Sequence, residues 1–172
     1  LMHSIAFVFQ TSKLFKTSIF ENVKMGNKHA SDEEVMNALR LARCEDILAK
    51  FPEREKTVIG SKGVHLSGGE IQRVAIARAI LKNADIIILD EASAAADPEN
   101  EYEIQQAFSN LMKNKTVIMI AHRLSSIKNV DEILVVEDGN IIERGSDAEL
   151  MQKGGKYSHL QRLYSKANEW RV

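Results

Sequence analysis

Residues 66–91 read LSGGEIQRVAIARAILKNADIIILDE. Ser67, followed three residues later by Glu70, is the pattern of a capping box. Ile71, Val74, Ala75, Arg78 and Ala79 then follow at helical spacing. Asp85-Ile86-Ile87-Ile88-Leu89 is short, continuous and β-branched, as a parallel strand covered on both faces reads. The strand ends in two adjacent carboxylates, Asp90 and Glu91. In an α/β sheet they emerge at the carboxyl edge, where ligands sit. The first can hold Mg²⁺, which takes a few carboxylates together with waters and substrate phosphates. The second can orient or deprotonate a water attacking phosphorus. Ahead of the helix, Gly68 and Gly69 let backbone N–H groups approach an anion, and Ser67 adds a hydroxyl donor. Each feature has a plainer alternative: an acidic cap after a strand, and a capped helix after a flexible loop.

Further strands flank this stretch. Thr116-Val117-Ile118-Met119-Ile120 and Ile5-Ala6-Phe7-Val8-Phe9 share its buried, β-branched character. Residues 132–137 and 140–143 flank Asp138-Gly139, a strong hairpin signal. Ser31 with Glu34 opens a helix carrying Val35, Leu39 and Ala42, and Asp97-Pro98 opens one carrying Ile104, Phe108 and Leu111. Ser146 with Glu149 opens a short helix, and a last one is predicted from about Tyr157 to Asn168. Helices alternating with buried strands predict an α/β fold with a parallel sheet. Residues 11–82 carry little strand signal and read as a helical insertion between two sheet strands.

Composition narrows the class. The 172 residues are 44% hydrophobic and 27% charged, with Lys+Arg 23 against Asp+Glu 24, as one globular domain has. A net charge of -1 argues against a broad nucleic-acid-binding field. The one cysteine, Cys44, excludes an intrachain disulfide and fits a reducing compartment. No apolar run approaches the ~20 residues of a membrane-spanning helix, and no secretory leader is expected. Because the first residue is Leu1, a piece of a longer protein is expected.

Leu66 through Ala79 running into Asp90-Glu91 closely resembles the signature motif and Walker B region of ATP-binding-cassette (ABC) ATPases. Phe9-Gln10 ends a strand as the Q-loop does. Ala121-His122-Arg123 ends the next as the switch histidine does, and Ser93-Ala94-Ala95-Ala96-Asp97 stands where the D-loop belongs. The five motifs follow the family's order over essentially the whole chain. Leu14-Phe15 with Ser18-Ile19-Phe20-Glu21-Asn22-Val23, and residues 57–63, are similar to exporter-type members.

The resemblance implies a P-loop NTPase-like parallel sheet with a helical signature subdomain, N-terminally truncated. Residues 11–82 would be the helical subdomain, and 1–10 with 83–172 a portion of the catalytic core. It implies that Gln10 senses the metal and the attacking water, that Asp90 holds Mg²⁺, that Glu91 polarises that water, and that His122 touches the γ-phosphate of ATP. Ser67, Gly68, Gly69 and Glu70 would meet a nucleotide held by the opposite subunit, with Asp97 ordering the D-loop between the two. Implied partners are a transmembrane domain of the same transporter and a second nucleotide-binding domain, with no nucleic acid, at the cytoplasmic face of a membrane. His3, His29, His65 and His159 lack such context and read as surface or structural.

Departures accompany the resemblance. A G-x-x-x-x-G-K-[ST] phosphate loop does not occur in these residues, although the family carries one upstream of the Q-loop. The chain is therefore expected to be about the last two-thirds of a nucleotide-binding domain and inactive alone. A strand is also expected to be missing between the one ending at His122 and the one around 133–136. Those two strands are expected to pair directly, to accept a swapped chain, or to be distorted. Glu70 replaces the commoner glutamine, adding a negative charge near a phosphate. Ser61 stands where exporters carry glutamate, and Ala94-Ala95-Ala96 replaces the commoner Ser-Ala-Leu. The competing readings are the C-terminal lobe of a DNA-maintenance ABC-type ATPase and a non-catalytic cassette-like interaction module. The absence of a coiled coil separating Gln10 from the signature disfavours the first, and intact Asp90, Glu91 and His122 disfavour the second.

Overall fold

Alternation along the apolar runs sorts their side chains between two faces of a sheet. A computed structural model describes residues 3–9, 12–60, 63–90, 98–121 and 130–169. Strands β1 (Ile5–Val8), β2 (Ile86–Asp90) and β3 (Thr116–Ile120) are parallel and ordered β1-β2-β3. Ile5, Ile86 and Thr116 stand in one row, and Val8, Leu89 and Met119 in another. Ala6, Val8, Ile87 and Leu89 consequently share one face and are buried. On the opposite face Phe7, Phe9, Ile118 and Ile120 are exposed, and the Phe7 and Phe9 rings stack with centroids 5.8 Å apart. Among the described residues of this unit, the helices that complete the core pack on the Ala6–Leu89 side, so the strands read as covered on both faces are covered there on one.

Those helices are α1 (Ile19–Lys24), α2 (Asp32–Leu41), α3 (Glu45–Ala49), α4 (Gly68–Lys82) and α5 (Pro98–Met112), with a 3-10 turn over Arg54–Lys56. The capping boxes expected at Ser31 and Ser67 both form. Helix α4 packs against α1, α2, α5 and β1. Ile71, Val74, Ala75, Arg78 and Ala79 recur at helical spacing, and α4 is buried nearly all round, including Gln72 and Arg73. A helix surrounded by neighbours has no water-facing side to leave polar. Arg78 instead reaches out of α4, donating Nε to the Asn22 carbonyl (2.9 Å) and Nη2 to Asn22 Oδ1 (2.9 Å). Asn22 in turn donates to the carbonyls of Phe15 and Ser18. The segment before α1 is thereby tied to α4.

The chain divides into two compact units, Leu1–Ile120 and Ala121–Val172. In the second, β4 (Ile133–Glu137) and β5 (Asn140–Gly145) form the expected hairpin, with positive φ at Asp138 (48°) and Gly139 (77°). β4 and β5 make a two-stranded sheet of their own. α6 (Asp147–Lys153) and α7 (Lys156–Glu169) follow, and Ile133, Leu150 and Tyr157 form the unit's core. The Glu143 carboxylate accepts from the backbone N–H groups of Lys156 (3.0 Å) and Tyr157 (2.8 Å), satisfying donors that the first turn of α7 leaves open. Among the described residues no helix is long and apolar enough to cross a membrane.

Candidate functional site

The N-terminus of α4 is built by its cap. Ser67 is extended (φ -66°, ψ 165°), its hydroxyl accepts from the Glu70 N–H at 3.3 Å, and Glu70 Oε2 accepts from the Ser67 N–H at 2.7 Å. Two first-turn donors are thereby satisfied internally. The paired glycines, read from sequence as equivalent, differ in role. Gly68 is exposed, and a Cβ placed on it would meet nothing within 4 Å, so its backbone is open to approach. Gly69 is buried: a Cβ there would stand 3.3 Å from Ile104 Cδ1 and 3.4 Å from Asn100 Cβ. Gly69 therefore sets how closely α4 and α5 approach, and that packing places the open Gly68 turn.

Glu70 does not point at open space. Its side chain is 7% exposed, and Oε1 accepts from Lys50 Nζ at 2.5 Å. Burial alone pushes the Glu70 carboxyl up, but the bonds from Lys50 and Ser67 outweigh it and hold the group below its ordinary value. The negative charge expected next to a bound phosphate is thus compensated within the fold.

Arg73, one turn further along α4, is 1% exposed and forks onto Asp46 of α3, Nη1 to Oδ1 at 2.7 Å and Nη2 to Oδ2 at 2.9 Å. It also donates to the Arg43 carbonyl at 2.6 Å and to Asn100 Oδ1 at 3.3 Å. Arg73, Lys50 and Asp46 were not picked out by motif spacing. The available signal was two arginines, Arg73 and Arg78, among the small and aliphatic residues of 73–81. Nearby, burial pushes the Cys44 thiol up to about 12, so it stays protonated and unreactive.

Asp90 ends β2 half-buried, beside Ile120 in the register. It occupies the carboxyl edge of the sheet, as expected. Among the described residues no three His, Cys, Asp or Glu side chains gather as a metal site. Mg²⁺ completed by substrate phosphates and water needs only one or two carboxylates, and the hard oxygen donor of Asp90 fits that use. Gln10, Glu91, Asp97 and His122 lie outside the described residues.

Residues 1–94 match the family model described as ABC transporter. The chain is 46% identical over 170 residues to ABC transporter B family member 4 of Dictyostelium discoideum, covering 98% of this chain and 22% of that protein. It is 45% identical over 167 residues to the β-(1→2)glucan export ATP-binding/permease protein NdvA of Bartonella henselae, covering 97% of this chain and 28% of that protein. The solved structure of a bacterial Atm1-family ABC exporter with ATP bound is similar at a TM-score of 0.81 and 39% identity, covering 93% of this chain and 28% of that one. The chain spans only 22% to 28% of the length of these relatives.

Proposed function

The chain belongs to the ABC transporter family, and from that premise we propose that it is the signature-bearing part of an exporter's ATP-binding and ATP-hydrolysing domain. The observation that carries this reading is the α4 N-terminus, where a Ser67 cap and an exposed Gly68 leave backbone donors open to an anion. A γ-phosphate held by a second nucleotide-binding domain is the ligand this supports. Asp90 would hold Mg²⁺, which supplies charge neutralisation at the phosphates. Glu91 would polarise the attacking water, His122 would contact the γ-phosphate, Gln10 would sense water and metal, and Asp97 would order the shared interface.

Residues 11–82 would be the helical subdomain, and 1–10 with 83–172 part of the catalytic core. Coupling would run to a transmembrane domain of the same protein, with this part at the cytoplasmic face. The 172 residues alone, without a phosphate-loop motif, would bind MgATP poorly.

The test is Glu91→Gln in the complete protein. It preserves side-chain size and removes the base, so hydrolysis should slow on the order of 10²–10⁴-fold while MgATP binding persists. Near-normal turnover in that variant would reject the assignment.

A further inference from the structure

We infer that Lys50 is a positioning residue of the nucleotide site, neutralising and holding back the Glu70 carboxylate so that an acidic signature can accept a triphosphate. The inference rests on the reading above, that the α4 N-terminus receives phosphate. The common glutamine at this position is neutral. Glutamate brings a full negative charge within one helical turn of Ser67 and Gly68, where it opposes an incoming anion.

Among the described residues, Lys50 answers that charge. Lys50 caps the C-terminal end of α3, and its Nζ lies 2.5 Å from Glu70 Oε1. Asp46, on the same short helix, is held at both oxygens by Arg73, so Glu70 is the acid that pairs with Lys50. The other Glu70 oxygen is turned back onto the Ser67 N–H. Both carboxylate oxygens are thus occupied within the protein, in a side chain that is only 7% exposed. The hydrogen bond to Glu70 raises the Lys50 ammonium above its ordinary value, so the pair is charged throughout the neutral range. Lys50 itself is 56% exposed, so replacing it removes a charge without opening a cavity.

A charge-cancelling role and a structural role predict opposite outcomes when both partners are changed. The complete protein is made as wild type, Lys50→Met, Glu70→Gln and the double variant, with Lys50→Gln as a second removal of the charge. Two quantities are read: the MgATP concentration for half-maximal thermal protection, and KM and kcat for hydrolysis. Lys50→Met should raise both the half-protection concentration and KM on the order of 10-fold, with kcat changed less than about 2-fold. Raising salt to about 0.5 M should shrink the defect, because the uncompensated charge is then screened. Glu70→Gln should bind no more weakly than wild type. Adding Glu70→Gln to Lys50→Met should restore both concentrations.

A pair that merely supported the fold would give a double variant no better than the worse single one, with lowered melting temperatures and kcat. That result, or an unchanged half-protection concentration in both Lys50 variants, overturns the inference while leaving the proposed function standing. A wild-type protein that MgATP neither protects nor is hydrolysed by overturns both.

Discussion

Arg73 and Asp46 form an unequal pair, and the inequality predicts which substitution hurts more. The arginine side chain is 1% exposed and the aspartate 53%. Asp46→Ala leaves a guanidinium that cannot deprotonate inside the protein, held among the described residues by the Arg43 carbonyl and Asn100. Leaving a buried charge uncompensated costs about 3–5 kcal/mol. Arg73→Met removes that charge and fills most of its volume. The Asp46 carboxylate it leaves behind is half in water, and the main loss is the donor to the Arg43 carbonyl, about 1–2 kcal/mol. Truncating the exposed partner should therefore cost about 2 kcal/mol more than replacing the buried one.

The double variant should lie close to Arg73→Met rather than at the sum. Each kcal/mol moves the melting midpoint by about 2–4 °C for a domain of this size, so the two single variants should separate by several degrees. Glu45→Ala is the control, since it removes a first-turn acid from the same helix without touching Arg73. The assay is a temperature ramp on the complete protein with limited proteolysis, read at peptides from α2 to α4. An Asp46→Ala variant as stable as Arg73→Met, or additive costs in the double, would refute this account of α4.

Two further expectations concern acid and packing. Burial pushes the Asp46 and Glu70 carboxyls up, yet Arg73 and Lys50 respectively hold both below their ordinary values. A carboxyl whose folded pKa is depressed stabilises fully above the unfolded value, about 4, and loses that contribution as pH falls through the folded pKa. Stability should be flat above about pH 5 and fall below about pH 4; a pH series of melting curves checks this, and Arg73→Met should flatten the acid limb. In the second unit, a Cβ at Gly155 would overlap Glu143 Oε1. Gly155→Ala should pull Glu143 off the Lys156 and Tyr157 N–H groups, costing about 1–2 kcal/mol. Hydrogen exchange should then quicken in the first turn of α7 and not in α4.

Local rules in the sequence were enough for most elements, because capping boxes, the Asp-Gly hairpin and β-branched runs act over a few neighbouring residues. Ser31, Ser67 and Ser146 all cap helices as their spacing predicts, and the last helix ends within a residue of the expected position. The order of motifs from Gln10 to His122 carried the family, and Ser67 and Asp90 stand at a helix start and a strand end as that order requires.

Only the tertiary structure could decide what depends on distant partners. It separates Gly68, open to a ligand, from Gly69, which lies against Asn100 and Ile104. It turns the extra charge of Glu70 inward onto Lys50, twenty residues away. It buries Arg73 against Asp46 and spends Arg78 on Asn22, partners that helical spacing does not identify. The physical reason is common to all four. A side chain's effective charge and freedom are set by whatever the fold brings within hydrogen-bonding or van der Waals reach, and no neighbour in the sequence encodes that distance.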